Sequence, residues 1–389
     1  MWGTARDFVA TFALISLWKP GPCVATRQEQ RDRDKHLQRL DSDSVFSHGK
    51  QNASSGERPP KGHCLGNAED KYKMGKELGS GMYGVTYKAT VKYGSRKGET
   101  FVLKRVPVDK FDNVELGPMT KPLYFNLPLL AVYCPEGSKD VDLILPLMAG
   151  GDLGRYESPS SPDPLSQETA AMIALGLYYL HNAGYIHRDF KGDNIMQTEN
   201  GVLTSLIDYG LIASWGPNKL VSERGGTIGN TAYRAPERSY REYGPEVDWF
   251  AFGLLLYHAH MGKRLYRSSL SPTGLNLRKH LNGRFKKWYR SDNHLQLDPK
   301  LFDLIAYLVA EDGRGRGIYN DCGAERCRTS PFVQGYPNRV EHPVFKHPYW
   351  ESVNWETLLK KWDQHVTFHP ALCQPKKPKK TIGEWLGLF

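Results

Sequence analysis

The chain's 389 residues suffice for one large two-lobed domain with flanking segments, or for two to three ordinary domains, and can bury a sizeable core. A composition 40% hydrophobic and 24% charged is that of a globular protein, so most of the chain is expected to fold and a wholly disordered one is excluded. The formal charge of +10 is scattered, and its one compact run, Lys376, Lys377, Lys379 and Lys380, reads as part of a solvated basic tail over 364–389; no nucleic-acid partner is expected.

Residues 1–25 read as a secretory signal peptide: Arg6 precedes an apolar run over 8–18, and small residues follow in Pro22-Cys23-Val24-Ala25. The run is too short to span a bilayer. Asp7 offsets Arg6, so a cytosolic chain with an apolar start is the alternative. From 26 to 70 the chain is rich in Arg, Asp, Gln, Ser and Gly and poor in large apolar residues, which predicts a disordered linker. Within it Asn52-Ala53-Ser54 is a glycosylation acceptor that suits secretion. Residues 27–40 offer a membrane surface only Leu37 and Leu40, so a solvated state is favoured over membrane association. Apart from Cys23 in the leader, five cysteines remain, an odd number that forms no disulfide framework; Cys322 and Cys327 either bridge locally or stay free thiols.

Alternation of apolar and polar positions around turn glycines predicts three strands over 72–78, 85–92 and 100–106, and two more follow over 127–133 and 141–147. Beyond Gly150 the period becomes helical: Met172, Ile173, Leu175, Tyr179 and Leu180 make one apolar face after Ser166, a suitable N-cap. Strands first and helices afterwards imply an α+β architecture, a small β-rich lobe followed by a larger α-helical one.

Gly79-Ser80-Gly81-Met82-Tyr83-Gly84 lies between the first two predicted strands, where glycines let the backbone approach phosphates. A dinucleotide-binding loop would lead into a helix, but here a strand follows, so a hairpin is favoured. Lys104 closes the third strand one hairpin further on. The most specific signal is His187-Arg188-Asp189-Phe190-Lys191-Gly192-Asp193-Asn194, with Asp208-Tyr209-Gly210 fourteen residues after Asn194. Phosphoryl transfer needs a carboxylate to orient the attacking hydroxyl, a cation beside the transferred group and oxygen ligands for Mg²⁺. Asp189, Lys191 and the Asn194/Asp208 pair supply these in turn.

On these motifs the chain resembles the eukaryotic protein kinase family over about residues 71–363, with the motifs in the family's order. The resemblance implies a bilobal kinase fold, with the N-lobe over 71–147 and the C-lobe over 148–363. It also implies that Gly79, Gly81 and Gly84 cover the phosphates of ATP, that Lys104 contacts the α/β-phosphates, that Asp189 is the base, and that Asn194 and Asp208 bind Mg²⁺. Leu145 takes the gatekeeper position, Met148 offers backbone contacts to adenine, Val102 and Thr86 line the adenine pocket, and Asp152 reaches toward the ribose. Lys191, two residues after Asp189, resembles serine/threonine kinases, so the implied substrates are protein serines and threonines; the chain is expected to be a monomer. Ala235-Pro236-Glu237 matches the end of the activation segment, Arg339 the partner of Glu237, and Asp248 and Gly253 the buried helix that anchors the catalytic loop. Arg188 resembles the arginine of kinases switched by phosphorylation, with Ser222, Thr227 and Thr231 as candidate sites. Residues 311–337 have no counterpart and read as an insert.

The departures surround the catalytic groups. Glu115 is the one candidate partner for Lys104, but it follows closely and Gly117-Pro118 is expected to end its helix just after it. Val102 stands in the usual alanine slot, Thr86 in the valine slot, and Tyr209 replaces phenylalanine. Asn230 falls where the family has threonine, and Asn230 or Thr231 is expected to bond Asp189 and Lys191. The alternatives to an active kinase are a pseudokinase scaffold and a small-molecule kinase, the latter disfavoured by Ala235-Pro236-Glu237. A leader before a kinase resembles the secreted kinases of apicomplexan parasites, including the rhoptry group, with a Golgi-resident kinase or a cytoplasmic one as the other placements.

Overall fold

The structure is a computed structural model that describes Pro59 and residues 64–81, 84–111, 113–121, 123–157, 164–216, 220–222, 228–235, 238, 242–262, 298–309 and 342–366. The expected leader, Cys322 and Cys327, Thr227, Pro236, Glu237, the 311–337 insert, Arg339 and the basic run lie outside these.

Five strands make one sheet: β1 (Tyr72–Gly81), β2 (Gly84–Val91), β3 (Thr100–Pro107), β4 (Ala131–Tyr133) and β5 (Asp140–Pro146), in the order β1-β2-β3-β5-β4. All neighbours are antiparallel, so side chains directly opposite share a face. Thr86 opposes Lys104, which opposes Leu143, and Val102 opposes Leu145. That face turns toward the larger core. On the other face Ala89, Phe101, Leu103 and Ile144 are buried with Tyr72 and Tyr133 in a second, smaller core.

The second core needs a cover, and the residues expected to close the disordered linker supply it. Residues 64–70 are ordered. Cys64 is disulfide-bonded to Cys134, and Leu65 hydrogen-bonds across to Val132 and Cys134. A short helix, α1 (Ala68–Lys71), is capped by the Asn67 side chain, which accepts the Glu69 amide at 3.0 Å, and Ala68 is fully buried. The cysteine count concealed this bridge because its partners are 70 residues apart.

The strand expected over 127–133 is shorter than its apolar run. Its first half, interrupted by Pro128, leaves the sheet: the Leu127 amide donates to Leu206 O and that of Leu129 to Met119 O, so this stretch ties the sheet to its surroundings instead of extending β4. Between β3 and β4 lies α2 (Asn113–Met119).

The helical part is built on α3 (Gln167–Asn182) and α4 (Glu246–Met261), both buried on nearly every side, as helices at the centre of a core must be. Ser166 caps α3 by accepting the Thr169 amide at 3.1 Å. At Gly253 a Cβ would come within 2.8 Å of Leu308 and Val309, so this glycine is what lets α5 (Pro299–Val309) lie close on α4. At the end of the described chain α6 (Trp355–His365) sets Trp362 against Phe125, ring centroids 5.1 Å apart.

Two small two-stranded sheets position the functional loops. β6 (Tyr185–Ile186) pairs with β9 (Ala213–Ser214), and β7 (Ile195–Gln197) with β8 (Thr204–Leu206). Residues 187–194 and 207–212 are thereby held side by side.

Candidate active site

Lys104 reaches from β3 to Glu115 on α2, with Nζ 2.8 Å from Oε1 and 3.1 Å from Asp208 Oδ1. Burial alone pulls the Lys104 ammonium down, but the two carboxylates outweigh it and hold the group well above the usual lysine range. Asp208 responds in kind: burial pushes its carboxyl up, and the charge and hydrogen bond of Lys104 hold it below the ordinary value. Both partners of this contact are therefore ionised at neutral pH.

The helix carrying Glu115 does not stop at Gly117-Pro118. Both residues lie inside α2, whose hydrogen bonding continues past them as Thr120 N donates to Leu116 O at 3.0 Å. A Cβ at Gly117 would overlap the Tyr185 hydroxyl, so the glycine allows α2 to press against the strand that leads into the catalytic loop. Lys121 reinforces the contact, donating to Ala183 O at 3.2 Å and lying over the Tyr185 ring.

The catalytic loop is held from beneath by Asp248. Its Oδ2 accepts the His187 amide at 2.8 Å and lies 2.9 Å from His181 Nε2, while Oδ1 accepts the Arg188 amide at 3.0 Å. Burial pushes the Asp248 carboxyl up; these donors overcome it and hold the group below its ordinary value. The anchoring stabilises a left-handed backbone at Arg188, φ 66°, immediately before Asp189. The Arg188 guanidinium donates to Leu211 O at 2.5 Å and Ile212 O at 3.3 Å, bonding the loop to the segment after Asp208. Of the expected phosphorylation sites, Thr231 opens a 3-10 turn and Ser222 is also described.

Three donors converge on the Asp189 carboxylate: Asn194 Nδ2 at 2.9 Å and Lys191 Nζ at 3.1 Å on Oδ2, and the Asn230 amide at 2.9 Å on Oδ1. Of the two residues expected to bond Asp189, it is Asn230 that does so. The Asn230 backbone makes the bond, and its side chain instead accepts the Ala232 amide at 2.9 Å. Gly229, at φ 79°, permits this approach, since a Cβ there would meet Arg188 O at 2.7 Å.

The remaining expected residues ring this centre. Gly79, Gly81 and Gly84 sit at the β1–β2 turn, and the Thr86 hydroxyl donates to Gly79 O at 3.0 Å, fixing that turn in the register that sets Thr86 opposite Lys104. Val102 and Leu145 pair across strands, and Met148 is buried just beyond β5. Asp152 is exposed, with its carboxylate accepting the Gly154 amide at 2.9 Å. Two residues that serve the site, His181 and Asn126, belong to none of the motifs. The first is recognisable only once α3 and α4 are packed together. The second had a faint signal, the hydroxyl that Tyr209 adds to a phenylalanine position: it lies 3.1 Å from Asn126 Oδ1.

A two-layered site of this kind, a lysine–glutamate pair under a glycine hairpin beside an aspartate–lysine–asparagine loop, defines a phosphoryl-transfer class of protein. Comparison with known families agrees: the Protein kinase domain matches residues 72–332, more than half of the chain, and the chain belongs to that family. Among curated relatives it is 31% identical to Chitin elicitor receptor kinase 1 of Arabidopsis thaliana over 50% of this chain and 31% of the relative. It is 27% identical to Calcium-dependent protein kinase 17 of the same plant over 66% and 49%, and 26% identical to a cAMP-dependent protein kinase catalytic subunit of Arthrobotrys oligospora over 75% and 51%. The chain thus spans between about a third and a half of the length of these relatives.

Proposed function

We propose that the chain is an ATP-dependent serine/threonine protein kinase, with Asp189 as the base that orients and deprotonates the acceptor hydroxyl. The observation that carries this reading is the convergence of Lys191, Asn194 and the Asn230 amide on one carboxylate. Such a carboxylate is fixed in direction, as a group that must accept a proton at a defined position has to be. Lys191 lies beside it to offset charge on the transferred phosphoryl group.

The donor set fits Mg²⁺. Asn194 spends its amide hydrogens on Asp189, leaving its carbonyl oxygen as a hard ligand, and Asp208 contributes an ionised carboxylate. Two such oxygens suffice, because Mg²⁺ takes few protein ligands and fills its shell from phosphates and water. Mg²⁺ bound there would neutralise charge on the phosphate oxygens. ATP fits the surrounding residues: Val102, Leu145 and Met148 offer an apolar slot for adenine, Asp152 a hydrogen-bond partner for the ribose, and Gly79, Gly81, Gly84 and Lys104 amides and a cation for the phosphates.

Serine/threonine preference is proposed from Lys191 and from similarity to Serine/threonine-protein kinase MRCK gamma of Homo sapiens, 29% identical over 58% of this chain and 14% of that protein. The test is transfer from γ-labelled ATP to a mixed peptide library. Label on serine and threonine, lost with EDTA and reduced roughly a thousandfold by Asp189→Asn, is expected. Label confined to tyrosine, or undiminished in the variant, would contradict the reading.

We further propose the secretory pathway as the compartment. The Cys64–Cys134 disulfide supports it, since such bonds persist where the environment is oxidising, and so do the leader and the Asn52 acceptor. Native protein that carries both thiols free and no glycan would sink this placement. Among the described residues no helix is long and apolar enough to cross a membrane.

A further inference from the structure

Asp208 holds a left-handed backbone, φ 60°, which a residue other than glycine keeps only where its neighbours over-determine it. On one side Lys104 grips its carboxylate. On the other stands Tyr209, 1% exposed, whose hydroxyl lies 3.1 Å from Asn126 Oδ1 and 3.0 Å from Leu206 O, two acceptors for one proton. A phenylalanine ring would fill the same space without either bond.

Asn126 is built into a junction. It is 2% exposed, and its Nδ2 donates to Tyr124 O and to Gly176 O of α3, each at 2.9 Å. Its backbone bridges Leu206 at the end of β8, two residues ahead of Asp208. Gly176 makes room, because a Cβ there would meet Phe125 O at 2.9 Å. Asn126 therefore offers a rigid acceptor, fixed by α3, to a phenol attached to the residue after Asp208. Were the 208–210 segment to turn away, the buried Oδ1 would lose its donor, and an unsatisfied buried acceptor costs more than a made bond contributes.

We propose that the Tyr209 hydroxyl, acting through Asn126, is a positioning group that holds Asp208 toward the cation and phosphates. This rests on the kinase reading. It predicts that the hydroxyl matters for nucleotide bound with metal and hardly at all for nucleotide bound without it, since Asp208 is asked to face the metal only in the first case.

Tyr209→Phe, Asn126→Ala and the double variant test it by calorimetric titration with ATP, in Mg²⁺ and in EDTA, alongside amide exchange over residues 207–212. Tyr209→Phe is expected to weaken Mg-ATP binding roughly fivefold and to quicken exchange, while metal-free ATP affinity shifts by less than about twofold. In the double variant the combined loss should fall well short of the sum of the two single losses, because both remove one bond. Equal weakening with and without metal, unchanged binding and exchange, or fully additive losses would each overturn the proposal. Wild-type protein that binds no Mg-ATP would instead sink the kinase reading. Exchange over 207–212 then decides alone, and protection equal in Tyr209→Phe and wild type would overturn the positioning role.

Discussion

The strained backbone at Arg188 exists because a buried carboxylate receives the two successive amides that lead into the bend, and Asp248 is that carboxylate. Since folding holds Asp248 below its ordinary value of 3.8, unfolding takes up a proton as pH falls; its contribution is complete above that value and is lost below it. Asp248→Asn is expected to lower stability by roughly 3 kcal/mol at neutral pH, because two amides and His181 lose a charged acceptor. It should also flatten the fall in Tm between about pH 5 and pH 3 relative to wild type, which thermal melts across that range would read. A steeper fall in the variant would contradict the assignment. At Lys104 the reasoning is parallel. Lys104→Met leaves Glu115 buried without its cation, so a loss of transfer of roughly a hundredfold should come with a lowered Tm, measured on the same preparations. Residues of this kind were legible because their chemistry is tied to short motifs. Asn126 and His181 were not, because their roles arise from elements brought together across 83 and 67 residues.

One element that sequence rules placed only in part is α2, which ends at Met119, one residue past Pro118. Gly117 and Pro118 are poor helix residues, and local propensity alone ends the helix there. Tertiary contact overrides that preference: the glycine is needed for the Tyr185 contact, and the contact fixes the helix that presents Glu115. Gly117→Ala should therefore cost about 1–3 kcal/mol through overpacking and displace Glu115, reducing transfer more than an alanine in a helix would suggest. Removing the opposing ring with Tyr185→Ala in the same protein should recover part of the loss. No recovery in the melting and transfer measurements would mean that Gly117 matters for another reason. The sheet was the most readable element, since alternation around glycines placed β1, β2 and β3 close to their observed extents. The 127–133 run misled because an apolar run does not say whether its partner is a sheet neighbour or the catalytic lobe.

Across the molecule, the β-rich lobe has two faces to cover, and the segment ahead of β1 covers the one turned from the active site. Arg105 binds the buried Asp142 through Nε at 2.7 Å and Nη2 at 2.8 Å, and Glu69 of α1 lies 3.4 Å from the same guanidinium. Reduction of Cys64–Cys134 should lower stability by about 4 kcal/mol, the scale expected for a loop of this length, and the Tm of Cys134→Ser should not respond to reductant. Composition signalled a linker here because residues 26–70 are polar on average, while seven ordered residues at their end depend on a partner strand for their structure.

The central reading proposed for this chain is transfer of the ATP γ-phosphoryl group to protein hydroxyls through Asp189, Asn194 and Asp208. The decisive comparison is between the phosphopeptides formed in a lysate by wild type and by Asp208→Ala. New phosphoserine and phosphothreonine peptides are expected with wild type and none with the variant. Identical peptide sets from the two proteins would contradict phosphoryl transfer at this site.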